Sequence, residues 1–378
     1  MTDNHFHFIT TAKEWQTCLS HLKRWPRVAV DLEANSLYVY QEYICLLQFS
    51  TEEQDFIVDP LAGFPLLGLG DLLQNPKIEK IFHASEYDLI LLKEAYGVEA
   101  VNLFDTMWAG RILGYKNMGL AAFLESFLQI TVSKKHQKAN WSKRPLSAEQ
   151  LAYAQNDTRY LIQLRDLMSA ELEKRGQMEE ALEIFRNETR VKSPDRSFDA
   201  ADFYGLRGAR RMPPQMQAVL RELFILRDRE AKARNVPPFK VLNNDVLLHL
   251  AKLQPANEEE LLKVRGISER VLQRMGTSLL RAVARGRKAP PPEPPVRNNR
   301  KSNRTMERFE CLSDWRKQRA QERDVESDVI LKRDTMWEIA ALDELSMDTL
   351  KTITTLGPHR FSLYGEDLLR LLQGVDGS

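Results

Sequence analysis

The chain has 378 residues, 43% of them hydrophobic and 28% charged, and a formal net charge of +1. That length accommodates two or three domains with separate cores, and the composition is that of a folded globular protein, not of a disordered or fibrous one. No apolar run reaches the length of a membrane span, the N-terminal residues lack the pattern of a secretory signal, and Cys18, Cys45 and Cys311 stand far apart in no ligand spacing, so we expect reduced thiols and a cytoplasmic protein with no membrane contact. Charge is unevenly spread. Residues 1–168 carry 16 basic against 20 acidic side chains and residues 169–378 carry 38 against 33, which suits an acidic site joined to parts that could meet a polyanion.

In chain order, Thr11 and Glu14 have capping-box spacing and predict a helix reaching residue 22. Residues 28–32, 44–49 and 56–58 read as short apolar strands, close enough in sequence that they should pair mostly antiparallel. A helix is expected over 66–73, a strand over 80–83 and helices over 86–95, 106–114, 120–127 and 148–167. Ser147 and Gln150 supply a second capping box for the last of these. Strands first and helices interleaved later predict a mixed central sheet flanked by helices.

Beyond a polar stretch at 190–212 the chain reads as all-helical, interrupted by a spacer with five prolines between Pro290 and Pro295 that should be extended. The two helical blocks on either side look duplicated. A shift of 89 residues aligns Ala231 with Ala320, Arg234 with Arg323, Val236 with Val325, Leu242 with Leu331, Asp245 with Asp334 and Gly276 with Gly365. A single offset holding across both blocks predicts two copies of one module. The expected boundaries are 1–190, 208–288, a basic linker at 289–304, and 305–378. Residues 285–304 hold seven basic side chains and one acid, which could contact phosphates or keep the spacer soluble.

Four acids give the chain its chemistry. Asp31 and Glu33 alternate at the end of the apolar run Val28–Val30, so they share one face of a strand. Asp88 opens an apolar helix. By itself it is as well explained by the helix dipole. Tyr153 and Asp157 lie one helical turn apart, a spacing equally open to a packed ring beside a surface acid. Together they suit two divalent cations, Mg2+ or Mn2+, which favour oxygen donors and assist phosphodiester cleavage. The Tyr153 hydroxyl could then orient a water. Asp105, ahead of a helix, reads as an N-cap and not as a fifth ligand.

These segments carry a resemblance. VDLEANSL, FHASEYDLILL and the Y-x-x-x-D of YAQNDTRYL are similar to the three motifs of the DEDD exonucleases in their tyrosine branch. NLFDTMWAGRILGY, GLAAFLESFL and KKHQKANWSKRPLSAEQLAYAQND resemble the ribonuclease D family, and the helical blocks resemble HRDC modules. The resemblance covers the chain apart from linkers. It implies a ribonuclease H-like α/β sheet followed by two small all-α domains, and a metal-dependent 3′→5′ exoribonuclease that releases 5′-mononucleotides. It further implies RNA with a free 3′ end as substrate, notably transfer RNA precursors, and a monomer. Asp31, Glu33, Asp88 and Asp157 would be the ligands of two metal ions and Tyr153 would position the water. Leu37, His83, His136, Trp141 and Arg144 are candidate RNA contacts, with Trp141 stacking on a terminal base and Lys134–Arg144 meeting the backbone. The modules would bind RNA or protein, so losing residues 290–378 should spare cleavage of short oligomers. Two alternatives stay open. A DNA 3′→5′ exonuclease would show no dependence on the 2′-hydroxyl, and an inactive RNA-binding scaffold would show no cleavage.

Overall fold

The structure, a computed structural model, describes residues 5–294 and 301–376. Six strands among these residues make one mixed sheet: β1 (His7–Ile9), β2 (Arg27–Ala34), β3 (Ile44–Ser50), β4 (Asp55–Val58), β5 (Glu79–Phe82) and β6 (Leu103–Asp105), in the order β1-β4-β3-β2-β5-β6. The expected antiparallel pairs are present, β2 with β3 and β3 with β4, while β5 runs parallel to both β2 and β6. The three-residue strands β1 and β6 are too short for any alternation to reveal. The fold class is as the sequence implied.

Helices cover both faces: α1 (Ala12–Leu22), α2 (Leu69–Leu73), α3 (Glu86–Tyr96), α4 (Thr106–Ile112), α5 (Leu120–Leu128), α6 (Ala148–Arg159), α7 (Leu161–Lys174) and α8 (Met178–Glu188). Both capping boxes form, at Thr11 and at Ser147. On β2, Val28, Val30 and Leu32 enter the core shared with α1 and α3, whereas Ala29 faces the core shared with α4 and α7. The single helix expected over 148–167 is two. Its chain breaks at Tyr160 (φ −106°, ψ 0°), so that α6 crosses β2, β3 and β4 while α7 lies along β2 and β5. Helices α4 and α5 approach closely because Gly110 lacks a side chain: a Cβ there would lie 2.2 Å from the Phe123 ring.

The duplication is explicit. The first copy comprises α9 (Pro214–Ala233), α10 (Pro238–Val241), α11 (Asn244–Leu253), α12 (Glu258–Leu262) and α13 (Glu269–Lys288). The second comprises α14 (Asn303–Glu322), α15 (Ser327–Ile330), α16 (Arg333–Ala340), α17 (Met347–Lys351) and α18 (Pro358–Asp376). Each helix of the second starts 89 residues after its counterpart. The linker expected at 289–304 includes residues 295–300, which lie outside the described residues.

Two compact units divide the described chain. One contains residues 35–43 and 194–294, where the Tyr40 hydroxyl donates to Asp228 at 2.6 Å and a helical core surrounds α9. The other joins the sheet and α1–α8 to the second helical copy. There Val329 packs into the core of α4, α7 and α8, and three buried glutamates of α8 meet cations of the second copy. Glu180 accepts from Arg323 at 2.6 and 2.9 Å, Glu188 pairs with Lys332, and Glu183 accepts from the Arg360 side chain at 2.7 Å and from the backbone N–H of His359 at 2.7 Å. The exonuclease-like part and the last module are therefore one structural body.

Candidate active site

The carboxyl ends of the parallel strands β2, β5 and β6 point to one edge of the sheet, β2 running on past the other two, the usual place for a ligand in an open α/β sheet. Central strand β2 delivers Asp31 and Glu33 on the same face, opposite Gln48 and Leu46 of β3, and a register irregularity follows Glu33. Helix α6 crosses that face and brings Tyr153 and Asp157 down upon it. One carboxylate oxygen from each of Asp31, Glu33 and Asp157 falls within 4.8 Å of the other two. Asp88 joins them from the first turn of α3, 8% exposed.

Electrostatics set these residues apart from surface acids. Burial pushes the Asp31 carboxyl up to about 7. Burial also holds Glu33, Asp88 and Asp157 well above the usual carboxylate range, and Asp31 adds to the shift in all three. Grouped, desolvated acids of this kind require either protons or a cation. The donor set is all oxygen, which suits a hard divalent ion. An orphaned amide points the same way: Gln48, fully buried and cross-strand from Asp31, has neither side-chain polar atom partnered. Nothing in the sequence of β3 marks Gln48 except that it is polar among apolar residues.

Asp31, Glu33 and Asp157 line a pocket of about 390 Å3 together with Met107, Met118, Leu120, Val132, Lys134 and Gln137. His83 lies in this pocket. Its Nδ1 is 2.9 Å from the Thr106 hydroxyl, its ring donates to the Met118 carbonyl and stands edge-on to Phe123, and burial lowers its pKa, so the ring is neutral. Tyr153 is flanked by two rings, His136 edge-on at 6.2 Å and Trp141 tilted at 6.0 Å. Burial, followed by the charges of Asp157, Glu33 and Asp31, drives its pKa upward.

Two expected RNA contacts, Trp141 and Arg144, are turned into the protein, while His136 stays beside Tyr153. Trp141 is 1% exposed and packs on Tyr153, so its ring is not offered to a base. The Arg144 guanidinium is committed to both oxygens of buried Asp59, at 2.6 and 2.7 Å, and to the carbonyls of Trp141 and Cys45. His136 lies 3.4 Å from Glu149. A basic loop sequence cannot reveal that Arg144 and Trp141 turn inward while Lys134, Lys135, Lys138 and Lys143 stay exposed. Leu37 is exposed. Asp105 is the N-cap of α4, accepting from Met107 and Trp108, and it has further bonds that the sequence did not disclose.

Fold and site together define a 3′→5′ exonuclease followed by paired helical modules. Residues 6–173 match the family model described as 3'-5' exonuclease, and residues 216–283 and 306–372 each match that of the HRDC domain. Ribonuclease D of Nitrobacter hamburgensis is 30% identical over 97% of this chain and 95% of its own. The catalytic core of RRP6 from Trypanosoma brucei is similar in structure (TM-score 0.67, 28% identity, 76% of this chain and 80% of that one). Escherichia coli RNase D shares the fold over 98% of this chain and 99% of its own (TM-score 0.69, 22% identity). The chain belongs to the ribonuclease D family. It is a 3′→5′ exoribonuclease that acts on RNA and uses divalent metal, and no helix among its described residues is long and apolar enough to cross a membrane.

Proposed function

We propose that Asp31, Glu33, Asp88 and Asp157 bind two divalent ions, Mg2+ or Mn2+, and that this cytoplasmic, monomeric enzyme trims the 3′ ends of transfer RNA precursors and other structured RNAs, one 5′-mononucleotide at a time. The observation that carries this reading is the grouping of four desolvated carboxylates with raised pKa values at the strand ends. When bound, the cations would supply activation of the attacking water and neutralisation of charge on the leaving oxygen.

The chain supplies the rest. Its carboxylates would hold the cations, and through them the negatively charged phosphate could be tolerated beside four acids. Tyr153, kept protonated, orients the water through its hydroxyl, and the flanking rings of His136 and Trp141 fix its position. The apolar side chains of Met118, Leu120 and Val132 exclude water behind the terminal nucleoside, with His83 as a further contact. Lys134 meets the incoming backbone. E. coli RNase D is an exoribonuclease involved in structured RNA processing, which supports the structured-RNA part of the reading.

The test uses 5′-labelled RNA, its 3′-phosphorylated twin and matched DNA, each with Mg2+, Mn2+ or chelator. Metal-dependent shortening from the free 3′ hydroxyl, faster on RNA and absent in Asp157→Asn, is expected. Turnover by that variant would sink the ligand assignment.

A further inference from the structure

Asp88 meets the other acids from the first turn of α3, so its place depends on where that helix begins. The usual local anchor is missing, because Ser85 at the head of α3 makes no side-chain capping bond. The anchor comes instead from another strand. Asp105, fully buried at the end of β6, accepts from the backbone N–H of Ser85 at 2.7 Å and of Ala84 at 3.1 Å. The same carboxylate accepts from Met107 at 2.9 Å and Trp108 at 3.2 Å, at the start of α4. Ala84 adopts a left-handed φ of +64°, which a residue with a Cβ takes only when its surroundings enforce it. Four backbone donors from two turns thus converge on one carboxylate.

We propose that Asp105 is a positioning residue for the reaction: it locks the β5–α3 turn to the β6–α4 turn and so sets where Asp88 presents its carboxylate to the metal. This rests on the reading of Asp88 as a cation ligand. An acid that served α4 alone would need only the Met107 and Trp108 bonds. Two of the four bonds, including the shortest, go to the turn that carries Asp88. Metal affinity, not only stability, should therefore depend on Asp105.

The experiment is calorimetric titration of Mn2+ into the full chain, with thermal unfolding in parallel, for Asp88→Asn, Asp105→Asn and the double variant. Asp105→Ser keeps an oxygen to cap α4 but lacks the second oxygen, the one that accepts from Ser85. Asn243→Ala, which deletes the N-cap of α11 in the first module, controls for stability loss alone. We expect Asp105→Asn and Asp105→Ser each to weaken Mn2+ binding about tenfold, the double variant to bind no more weakly than Asp88→Asn, and the control to bind as the parent does. Parental affinity in Asp105→Asn or Asp105→Ser, or fully multiplicative losses in the double variant, would overturn the proposal. Undiminished affinity in Asp88→Asn would instead remove the ligand reading beneath it.

Discussion

Tyr153 lies among acids that oppose its ionisation, so its hydroxyl remains available to donate a hydrogen bond at any working pH. Tyr153→Phe should lower kcat by about 100-fold, the scale of a lost proton-handling or orienting group, and leave RNA affinity within about twofold in a filter-binding assay. The carboxylates give a pH signature. In the metal-free protein Asp31 keeps its proton up to about pH 7, whereas an unfolded aspartate loses it near pH 4. Between those values the folded state binds more protons than the unfolded one, so raising the pH through this window destabilises the metal-free fold. Thermal scans should show Mn2+ raising Tm at pH 8 and leaving it unchanged at pH 5, and Asp31→Asn should raise the metal-free Tm at pH 8. Arg144 obeys the opposite logic to an RNA contact. Arg144→Ala leaves Asp59 buried and unpaired, a loss of about 3–5 kcal/mol, and it should appear in chemical denaturation while KM for RNA stays near the parental value.

Helix α8 presents Glu180, Glu183 and Glu188 as one buried acidic face, each answered by a cation of the last module. Burying unpaired carboxylates is costly, so the helix and the module depend on each other. Glu183 does double work, because it pairs with Arg360 and also takes the place of a capping side chain at the start of α18. Gly357 makes this approach possible: a Cβ there would lie 2.1 Å from the Glu183 carboxyl carbon. Arg360→Ala should therefore lower stability by about 3–5 kcal/mol, read by urea unfolding, though it is remote from the catalytic acids in sequence. This revises the sequence-based expectation that residues 290–378 can be removed at little expense to short-substrate cleavage. Their deletion strips three buried charges of their partners, so loss on short and long RNA alike is expected, together with a lowered Tm.

Across the whole molecule the two copies of the module meet different surroundings. Arg323 of the second copy is locked to Glu180, whereas its counterpart Arg234 in the first is exposed and, with Arg270, presses on the pKa of Arg274, behind burial as the larger cause. Such a cationic face suits a phosphate backbone. Replacing Arg234, Arg270 and Arg274 with alanine should weaken binding of long RNA and reduce the slope of log affinity against log salt by about 2, with hydrolysis of a saturating short oligomer unchanged. Much of this protein was legible in its sequence because the physics involved is local. Alternation on β2 puts Asp31 and Glu33 on one face, helical spacing joins Tyr153 to Asp157, capping boxes open α1 and α6, and a constant offset of 89 residues records the duplication. Tertiary structure decided the rest. Whether a charged side chain faces water or a buried partner depends on residues far away in sequence, as for Arg144 with Asp59 and Glu183 with Arg360. The burial that turns four ordinary acids into a cation site exists only once α3 and α6 have closed over the ends of the strands.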